Sequence, residues 1–244
     1  MRVLLVLAAA LQLTAQRLPL GAGGAAAGGG GGVITTLSNT CAGNQGGTTS
    51  SSVSCTWSAA PPAGSSLVCS GATWSGGTGT ITAIAFSDGT TFTNTRAIFN
   101  ITSQNWLVQG YRFNIGATAP STVTMTLTGG TDQFANVLCN AFTDTGGTPT
   151  ADGTCTFATT NSTATSQCSA AITTTGKDYV IAIGTIQSGT MTGTNAGSGW
   201  TIGSVSGGAG NEYQVQSAAG SINPQFINQA IGQNQGVMGF AVKP

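Results

Sequence analysis

The sequence predicts an all-β fold, namely a two-sheet antiparallel β-sandwich of jelly-roll type with about 10–13 strands and disulfide bonds. Apolar and polar residues alternate in short runs bounded by Gly, Asn, Asp and Ser, and helical periodicity is nearly absent. The clearest run is TVTMTLT, in which Val123, Met125 and Leu127 alternate with threonines. So many short strands favour a jelly roll over an immunoglobulin sandwich of about seven strands.

The N-terminal region is predicted to precede the folded domain. Arg2 and the apolar run Val3–Leu11 are followed by small residues, which is typical of a secretory signal peptide, residues 1–15. The run is shorter than the about 20 residues that cross a bilayer. Residues 16–32 contain GAGGAAAGGGGG and are predicted to be a Gly/Ala-rich flexible linker. We therefore expect a secreted, extracellular or cell-surface protein whose mature chain has no membrane span.

Residues 33–244 are predicted to form a single β-sandwich domain, because the pattern of short strands and turns stays uniform over this length. Alternating runs such as SVSCTW (52–57) and AIAFS (83–87) predict half-buried strands. Other runs are almost continuously apolar, which predicts strands covered on both faces or covered by a loop. These runs are Ser66–Cys69, Ala97–Ile101, Trp106–Phe113, Asn136–Phe142, Tyr179–Ile186 and Gly236–Val242.

Charge is scarce and balanced in this chain. Charged residues make up 5% of it, against roughly 25% in an average globular domain. Because no Lys/Arg cluster is present to displace counterions from phosphates, we do not expect nucleic-acid binding. The same scarcity argues against attachment to an anionic membrane surface. A surface of Thr, Ser, Asn, Gln and Gly suits contact with neutral polysaccharide, and it equally suits a structural module without a ligand.

Six cysteines predict a set of disulfide bonds, since an even number in an exported chain is typical of such a set. The chain has no His and no CxxC motif, so a Cys/His zinc site is not expected. Many pairings are formally open, and the spacing suggests one. Cys41 and Cys55 flank a polar, Gly-rich loop, as do Cys155 and Cys168, whereas Cys69 and Cys139 lie in apolar runs and would link distant strands.

The absence of His excludes Ser-His-Asp and Cys-His catalysis. It leaves carboxylate pairs of the kind that glycosidases use. The acids closest in sequence, Asp144 and Asp152, lie in a Gly/Thr-rich loop where Asp usually stabilises a turn. We therefore expect no catalytic residues.

Asp88, in SDGTT, occupies a predicted turn in which its carboxylate accepts backbone N–H bonds. The alternative is a structural Ca²⁺ site, which needs about six to eight oxygen ligands. No DxDxDG loop is present, so the turn interpretation is preferred and no other cofactor is expected. Asp178, in GKDYV, is likewise interpreted as a residue that ends a loop.

A sugar-binding face is the main candidate site. Carbohydrate-binding modules stack sugars on exposed aromatic rings, with amide side chains alongside. Trp74 and Trp200 lie next to Gly-rich loops, and Asn195, Asn211 and Gln214 offer amides. The alternative is that these aromatic side chains belong to the core, which is the commoner place for an aromatic residue on a strand.

Glu212 is the only Glu in the chain and begins an alternating strand. It has no carboxylate near it in sequence. We expect a structural role in which its side chain pairs with a neighbouring strand or loop, and Arg112 is one candidate partner.

The order of several segments resembles a widespread, poorly characterised group of exported bacterial β-sandwich modules, similar in shape to jelly-roll and concanavalin-like domains. The segments include AGSSLVCSGATW, ITAIAFSDGTTF, YRFNIGATAPSTVTMTLTG, TTTGKDYVIAIGTIQSG and GNEYQVQSAAGS. The resemblance covers roughly residues 50–244 and consists mostly of turn and core residues. CNAFTDTG departs from it, since the group usually has an acidic residue there. The resemblance implies a fold and carries no catalytic role.

The leading expectation is a non-catalytic exported surface, adhesion or glycan-contacting module whose partner is a neutral polysaccharide. The alternative is a structural subunit that self-associates into an extracellular fibre or layer through a sheet edge or the N-terminal arm. A carbohydrate-active enzyme is the third interpretation.

Overall fold

The computed structural model describes residues 32–74, 77–94, 99–100, 106–117, 120–159, 165–187, 189–229 and 233–244. The predicted signal peptide and the linker up to residue 31 lie outside the described residues. Most of the predicted strand Ala97–Ile101 lies outside them too.

The fold is all-β, as predicted. Within the described ranges there are eighteen strands, twelve of them five residues or longer, and one 3₁₀ turn at Gly193–Asn195. The strands are β1 (Ile34–Asn44), β2 (Ser52–Thr56), β3 (Ser66–Thr73), β4 (Gly79–Ser87), β5 (Thr93–Asn94), β6 (Phe99–Asn100), β7 (Trp106–Arg112), β8 (Thr122–Gly130), β9 (Asn136–Asp144), β10 (Thr150–Thr159), β11 (Ser166–Gln167), β12 (Ile172–Thr174), β13 (Tyr179–Ile186), β14 (Thr201–Ser206), β15 (Ala209–Val215), β16 (Gly220–Ile222), β17 (Gln225–Phe226) and β18 (Gln235–Lys243). In the described part of the chain, no helical segment has the length and apolar character needed to span a bilayer.

The strands form three large antiparallel sheets and two short ribbons. The central sheet has the order β1-β9-β3-β7-β5, and β6 also pairs with β7. The outer sheet has the order β2-β8-β4, and the C-terminal sheet has the order β10-β18-β13-β15-β14. The two ribbons, β11 with β17 and β12 with β16, are called the cover. Residues 34–144 thus build the central and outer sheets, and residues 150–243 build the C-terminal sheet and the cover.

The central sheet is buried on both faces, which explains its continuous apolar runs. Every residue of β3 is buried. Leu67 and Cys69 pack toward the outer sheet, whereas Val68 packs toward the C-terminal sheet. In β13, Ile181 faces the central sheet and Val180 faces the cover. A strand between two layers has no solvent side, so its sequence shows no alternation.

The outer sheet has one solvent face and therefore keeps the alternation. Val123, Met125 and Leu127 of β8 are buried under the central sheet. The threonines between them point outward, where the hydroxyl of Thr124 lies 2.8 Å from that of Ser54 on β2. The predicted half-buried strand is confirmed.

Aromatic side chains join the two halves of the chain. The rings of Phe142 and Tyr179 have centroids 4.9 Å apart, and those of Tyr111 and Phe240 are 5.6 Å apart. Each large side chain removed from water contributes about 1.5–3 kcal/mol, so this interface supplies much of the fold's stability.

The three disulfide bonds are Cys41–Cys55, Cys69–Cys139 and Cys155–Cys168, the pairing that the spacing suggested. Cys69–Cys139 joins β3 to β9 at paired positions of the central sheet. The sulfurs of Cys41, Cys55 and Cys139 lie within 4.8 Å of one another, but all are in disulfides and offer no thiolate to a metal. Three disulfide bonds indicate an oxidising, non-cytoplasmic environment.

Candidate functional site

Trp74, one of the predicted sugar-stacking residues, directly follows β3 and has only 4% of its surface exposed. Its indole Nε1 donates a hydrogen bond to Oγ1 of Thr185 at 2.6 Å. The ring therefore lies between the central and C-terminal sheets and offers no open face for stacking. It does line a pocket at this end of the two sheets.

This pocket, called the Trp74 pocket below, has a volume of about 240 Å³ and receives residues from both halves of the chain. Its side-chain walls are Asn44, Trp74, Phe134, Asn136, Ile186 and Gln187. Three glycines, Gly189, Gly207 and Gly208, complete it. None of these described lining residues carries a charge, which suits a neutral ligand.

Asp132 holds the two aromatic residues of the Trp74 pocket in place. Its buried carboxylate accepts from N of Phe134 at 2.6 Å through Oδ1 and from N of Trp74 at 3.1 Å through Oδ2. The first bond is the local turn that Asp favours, and the second ties the loop after β8 to the end of β3. As a result Phe134 is fixed with 45% of its surface exposed.

Phe134 and Asp132 were not predicted as site residues, because TDQFAN has the composition of a plain loop. The available signal was an aromatic residue two positions after a turn-forming Asp. An aromatic side chain in that place is held by the turn without being drawn into the core.

Asn136, at the start of β9, carries a buried acceptor without a donor. It is 2% exposed, and its Nδ2 donates to the carbonyl oxygen of Phe134 at 2.8 Å, which fixes the orientation of the amide. Its Oδ1 has no hydrogen-bond partner among the described residues. Buried polar atoms are usually paired, so this oxygen is an exception, and its own burial keeps it from a ligand.

Gly207 packs closely against this amide. Its φ of +54° lies in the left-handed region that favours glycine. A Cβ at this residue would lie 2.9 Å from Nδ2 of Asn44 and 3.3 Å from Oδ1 of Asn136. A side chain at this residue would therefore push against both amides, so glycine allows the turn between β14 and β15 to lie this close to them.

The other predicted ligand residues do not line this pocket. Trp200 is half-buried and packs against the apolar cluster beneath the cover. Asn195 is buried in the 3₁₀ turn, where both ends of its amide bond to backbone groups. Asn211 is fully buried and donates to Oδ1 of Asn140 at 2.5 Å across the interface of the halves. Gln214 is half-buried on β15. The amides of Asn195 and Asn211 are thus engaged within the fold.

Asp88, the weak calcium candidate, lies in a turn after β4. Its Oδ1 accepts from N of Thr90 at 3.1 Å, and its Oδ2 forms a salt bridge with Nη1 of Arg112. Gly89 follows with a φ of +96°. Both carboxylate oxygens thus have N–H donors, which is the geometry that the turn interpretation expects.

Glu212 is fully buried and links β15 to the cover and to the loop before β14. Its Oε2 accepts from N of Gly197 and its Oε1 from N of Gln225, both at 2.9 Å. Burial raises the pKa of Glu212 to about 8, although these two N–H groups act to lower it. The expected structural role fits this geometry, but the suggested partner Arg112 was wrong, since Arg112 pairs with Asp88.

Asp152 and Asp178 form a carboxyl pair at the end of the C-terminal sheet that lies opposite the Trp74 pocket. Asp152 sits in the bulge of β10, and its Oδ2 accepts from N and Oγ1 of Thr175 at 2.7 and 3.1 Å. Burial, together with the hydrogen bond and charge of Asp152, raises the pKa of Asp178 to about 7. Burial also acts to raise the pKa of Asp152, but hydrogen bonds from Asp178 and Thr175 outweigh it and lower that pKa.

This pair is suited to sharing a proton. Asp178 has no exposed surface, so a substrate does not reach it. The charge of Lys243, at the end of β18, further offsets the negative charge of the pair. The arrangement therefore does not form an open catalytic cleft.

Comparison with known protein families and with curated proteins finds no match to this chain. Among solved structures, the chain is similar to an anti-sigma factor domain-containing protein, at 9% sequence identity and a TM-score of 0.21. That similarity covers 78% of this chain and 74% of the other. A likeness this distant carries no argument about function.

Proposed function

We propose that the protein is a non-catalytic exported surface module that binds a neutral glycan in the Trp74 pocket. The observation that carries the proposal is the exposed ring of Phe134, which the carboxylate of Asp132 holds at the edge of an uncharged pocket. The exposed amide side chains of Asn44 and Gln187 lie at the same rim, where they can hydrogen-bond to sugar hydroxyls.

The walls of the pocket fit the surfaces of a sugar. Pyranose rings are apolar on their faces and polar at their edges, and Phe134 offers an exposed aromatic face beside the amides. Small-molecule sites usually combine apolar walls with a few placed polar groups, as here. The neutral lining and the low charge of the chain favour an uncharged glycan over a uronic acid or sulfated one.

Binding to an array of neutral glycans and to insoluble polysaccharides tests the proposal, with titration calorimetry on any glycan that binds. Phe134→Ala is expected to weaken binding about tenfold, because aromatic contacts contribute up to about 1.5 kcal/mol beyond buried area. Gly207→Asn should also weaken binding, since Asn tolerates a positive φ and its side chain would displace the amide of Asn44 at the rim of the pocket.

Val215→Ala is the matched control, because Val215 is also exposed but lies at the far end of β15 from the pocket. It should leave the Kd unchanged. Absence of binding by the unaltered protein across the array, or equal binding by all three variants, would contradict the proposal. Self-association stays a prediction, and sedimentation of the same samples over a range of concentrations checks it.

A further inference from the structure

We propose that the four cysteines of the central and outer sheets form a disulfide relay, in which the opening of one bond is passed to the other. In this relay a thiol reductant opens Cys41–Cys55, and a freed sulfur then takes Cys139 away from Cys69. The relay does not depend on the proposed glycan binding.

Cys139 has a cysteine on each side of it in the central sheet. It lies on β9, between β1 and β3, and the register pairs it directly with Cys41 on β1 and with Cys69 on β3. Directly paired residues of antiparallel strands have their side chains on one face and their Cα atoms about 4.5–5.5 Å apart. Disulfides span Cα distances of about 4.4–6.8 Å, so both neighbours are placed to bond Cys139.

The sulfur atoms of the two disulfides also lie close together. Sγ of Cys55 is 4.0 Å from Sγ of Cys139, and Sγ of Cys41 lies within 4.8 Å of both. Thiol–disulfide exchange proceeds by attack of a thiolate on a disulfide sulfur. Either sulfur of an opened Cys41–Cys55 bond therefore has a second disulfide beside it.

The places of the two bonds in the sheets decide which of them opens first. Cys41–Cys55 joins two edge strands, β1 of the central sheet and β2 of the outer sheet, and the pairing of β1 with β9 is irregular just before Cys41. Cys69–Cys139 joins two inner strands, and both of its residues are 0% exposed, against 4% for Cys41 and 2% for Cys55. Local opening needs least free energy where fewer contacts hold a segment, so a reductant should reach Cys41–Cys55 first.

The exchange balances with a thiol of the glutathione class as the reductant. One glutathione thiolate attacks a sulfur of Cys41–Cys55, forms a mixed disulfide there and releases the other cysteine as a thiolate. That thiolate attacks Sγ of Cys139, a new disulfide forms, and Cys69 leaves as a thiolate that takes up a proton. A second glutathione cleaves the mixed disulfide, so two glutathione molecules become one oxidised glutathione and the protein gains two thiols.

Partial reduction of the folded protein by glutathione tests the relay. Samples are quenched with acid, alkylated with N-ethylmaleimide and mapped by mass spectrometry of their peptides. The relay predicts a species in which Cys69 and one of Cys41 and Cys55 are alkylated, while Cys139 is bonded to the other. Direct reduction without a relay gives alkylation of Cys41 together with Cys55, and of Cys69 together with Cys139.

The variant Cys55→Ser stops the relay at its midpoint, because Cys41 then has no partner of its own. In the folded variant, equilibrated in a glutathione buffer, the bond Cys41–Cys139 should be found beside Cys69–Cys139. Cys69 should therefore gain alkylation in part of the molecules, although its bond was not the one altered.

The third disulfide supplies the matched control, Cys168→Ser. This change frees Cys155 in the same way, but in the described residues no third cysteine sulfur lies within 4.8 Å of both sulfurs of this bond. The four relay cysteines should then stay in their two original pairs.

Two results would overturn the relay. One is that glutathione releases Cys69 only together with Cys139, and the other is that Cys69–Cys139 stays the sole bond among the three cysteines that Cys55→Ser leaves in the relay. If tryptophan fluorescence shows that this variant does not fold, the partial reduction of the unaltered protein decides alone.

Discussion

Replacing Glu212 by Gln should change how the stability of the fold depends on pH. Glu212 is fully buried, and its two oxygens accept backbone N–H bonds from Gln225 of the cover and from Gly197 in the loop before β14. The Gln side chain has the same shape but cannot ionise. Its oxygen can accept from Gly197 or from Gln225, while its NH₂ group meets the other N–H. That lost bond costs about 1–3 kcal/mol.

The magnitude of the pH effect follows from the raised pKa. The pKa of Glu212 is about 8 in the folded protein, against an ordinary value of 4.5. Between these values the folded protein keeps a proton that the unfolded chain releases, so the free energy of unfolding falls as pH rises. The contribution is complete below pH 4.5 and is lost by about pH 8. At about 1.4 kcal/mol per pH unit the loss is roughly 5 kcal/mol.

Urea unfolding followed by tryptophan fluorescence at pH 5, 7 and 9 measures both effects. At pH 5 the Glu212→Gln variant should be less stable than the unaltered protein by about 1–3 kcal/mol. At pH 9 it should be more stable by roughly 2–4 kcal/mol, because it has no ionisation cost. Comparing the two proteins at each pH cancels all other titrating groups. A difference that stays constant from pH 5 to pH 9 would refute the reasoning.

Three further changes test the fold. Asp178→Asn should flatten the fall in stability between about pH 4 and pH 7, because the pKa of Asp178 is raised to about 7; an unchanged pH profile would contradict the shared proton. The double change Cys69→Ala and Cys139→Ala should lower the free energy of unfolding in urea by about 2–5 kcal/mol, and the same double change at Cys41 and Cys55 is the control. Phe142→Ala should cost about 3–5 kcal/mol by emptying the interface of the two halves, whereas exposed Val205→Ala should cost below about 1 kcal/mol.

The fold could be predicted from the sequence because strand patterns are local. The alternation around Met125 reports a sheet with one solvent face, and the apolar run at Tyr179–Ile186 reports a strand without one. The cysteine pairing also followed from spacing, since Cys41 and Cys55 close a short loop. The sequence did not predict that a third sheet packs on the central sheet, because this packing depends on contacts between sheet faces that are far apart along the chain.

The candidate site was predicted only in part, for the same reason. Trp74 lines the pocket, but its ring is a buried wall and not the exposed stacking surface that the sequence suggested. Asn211 has the residue type of a sugar ligand, yet it is buried against Asn140 by the stacking of two sheets. Phe134 was missed because its exposure is set by Asp132 through bonds to two segments far apart in sequence. A single sequence does not show such contacts.

The Trp74 pocket takes walls from both halves of the chain, so the pocket is complete only when both halves have folded against each other. Asn44, Trp74 and Asn136 come from the first half, while Ile186 and Gly207 come from the second. A chain in which one half alone has folded lacks part of these walls. If the pocket binds a ligand as proposed, that ligand favours the fully folded protein over a half-folded one. At a ligand concentration a hundred times the Kd, this preference would be worth about 2.7 kcal/mol.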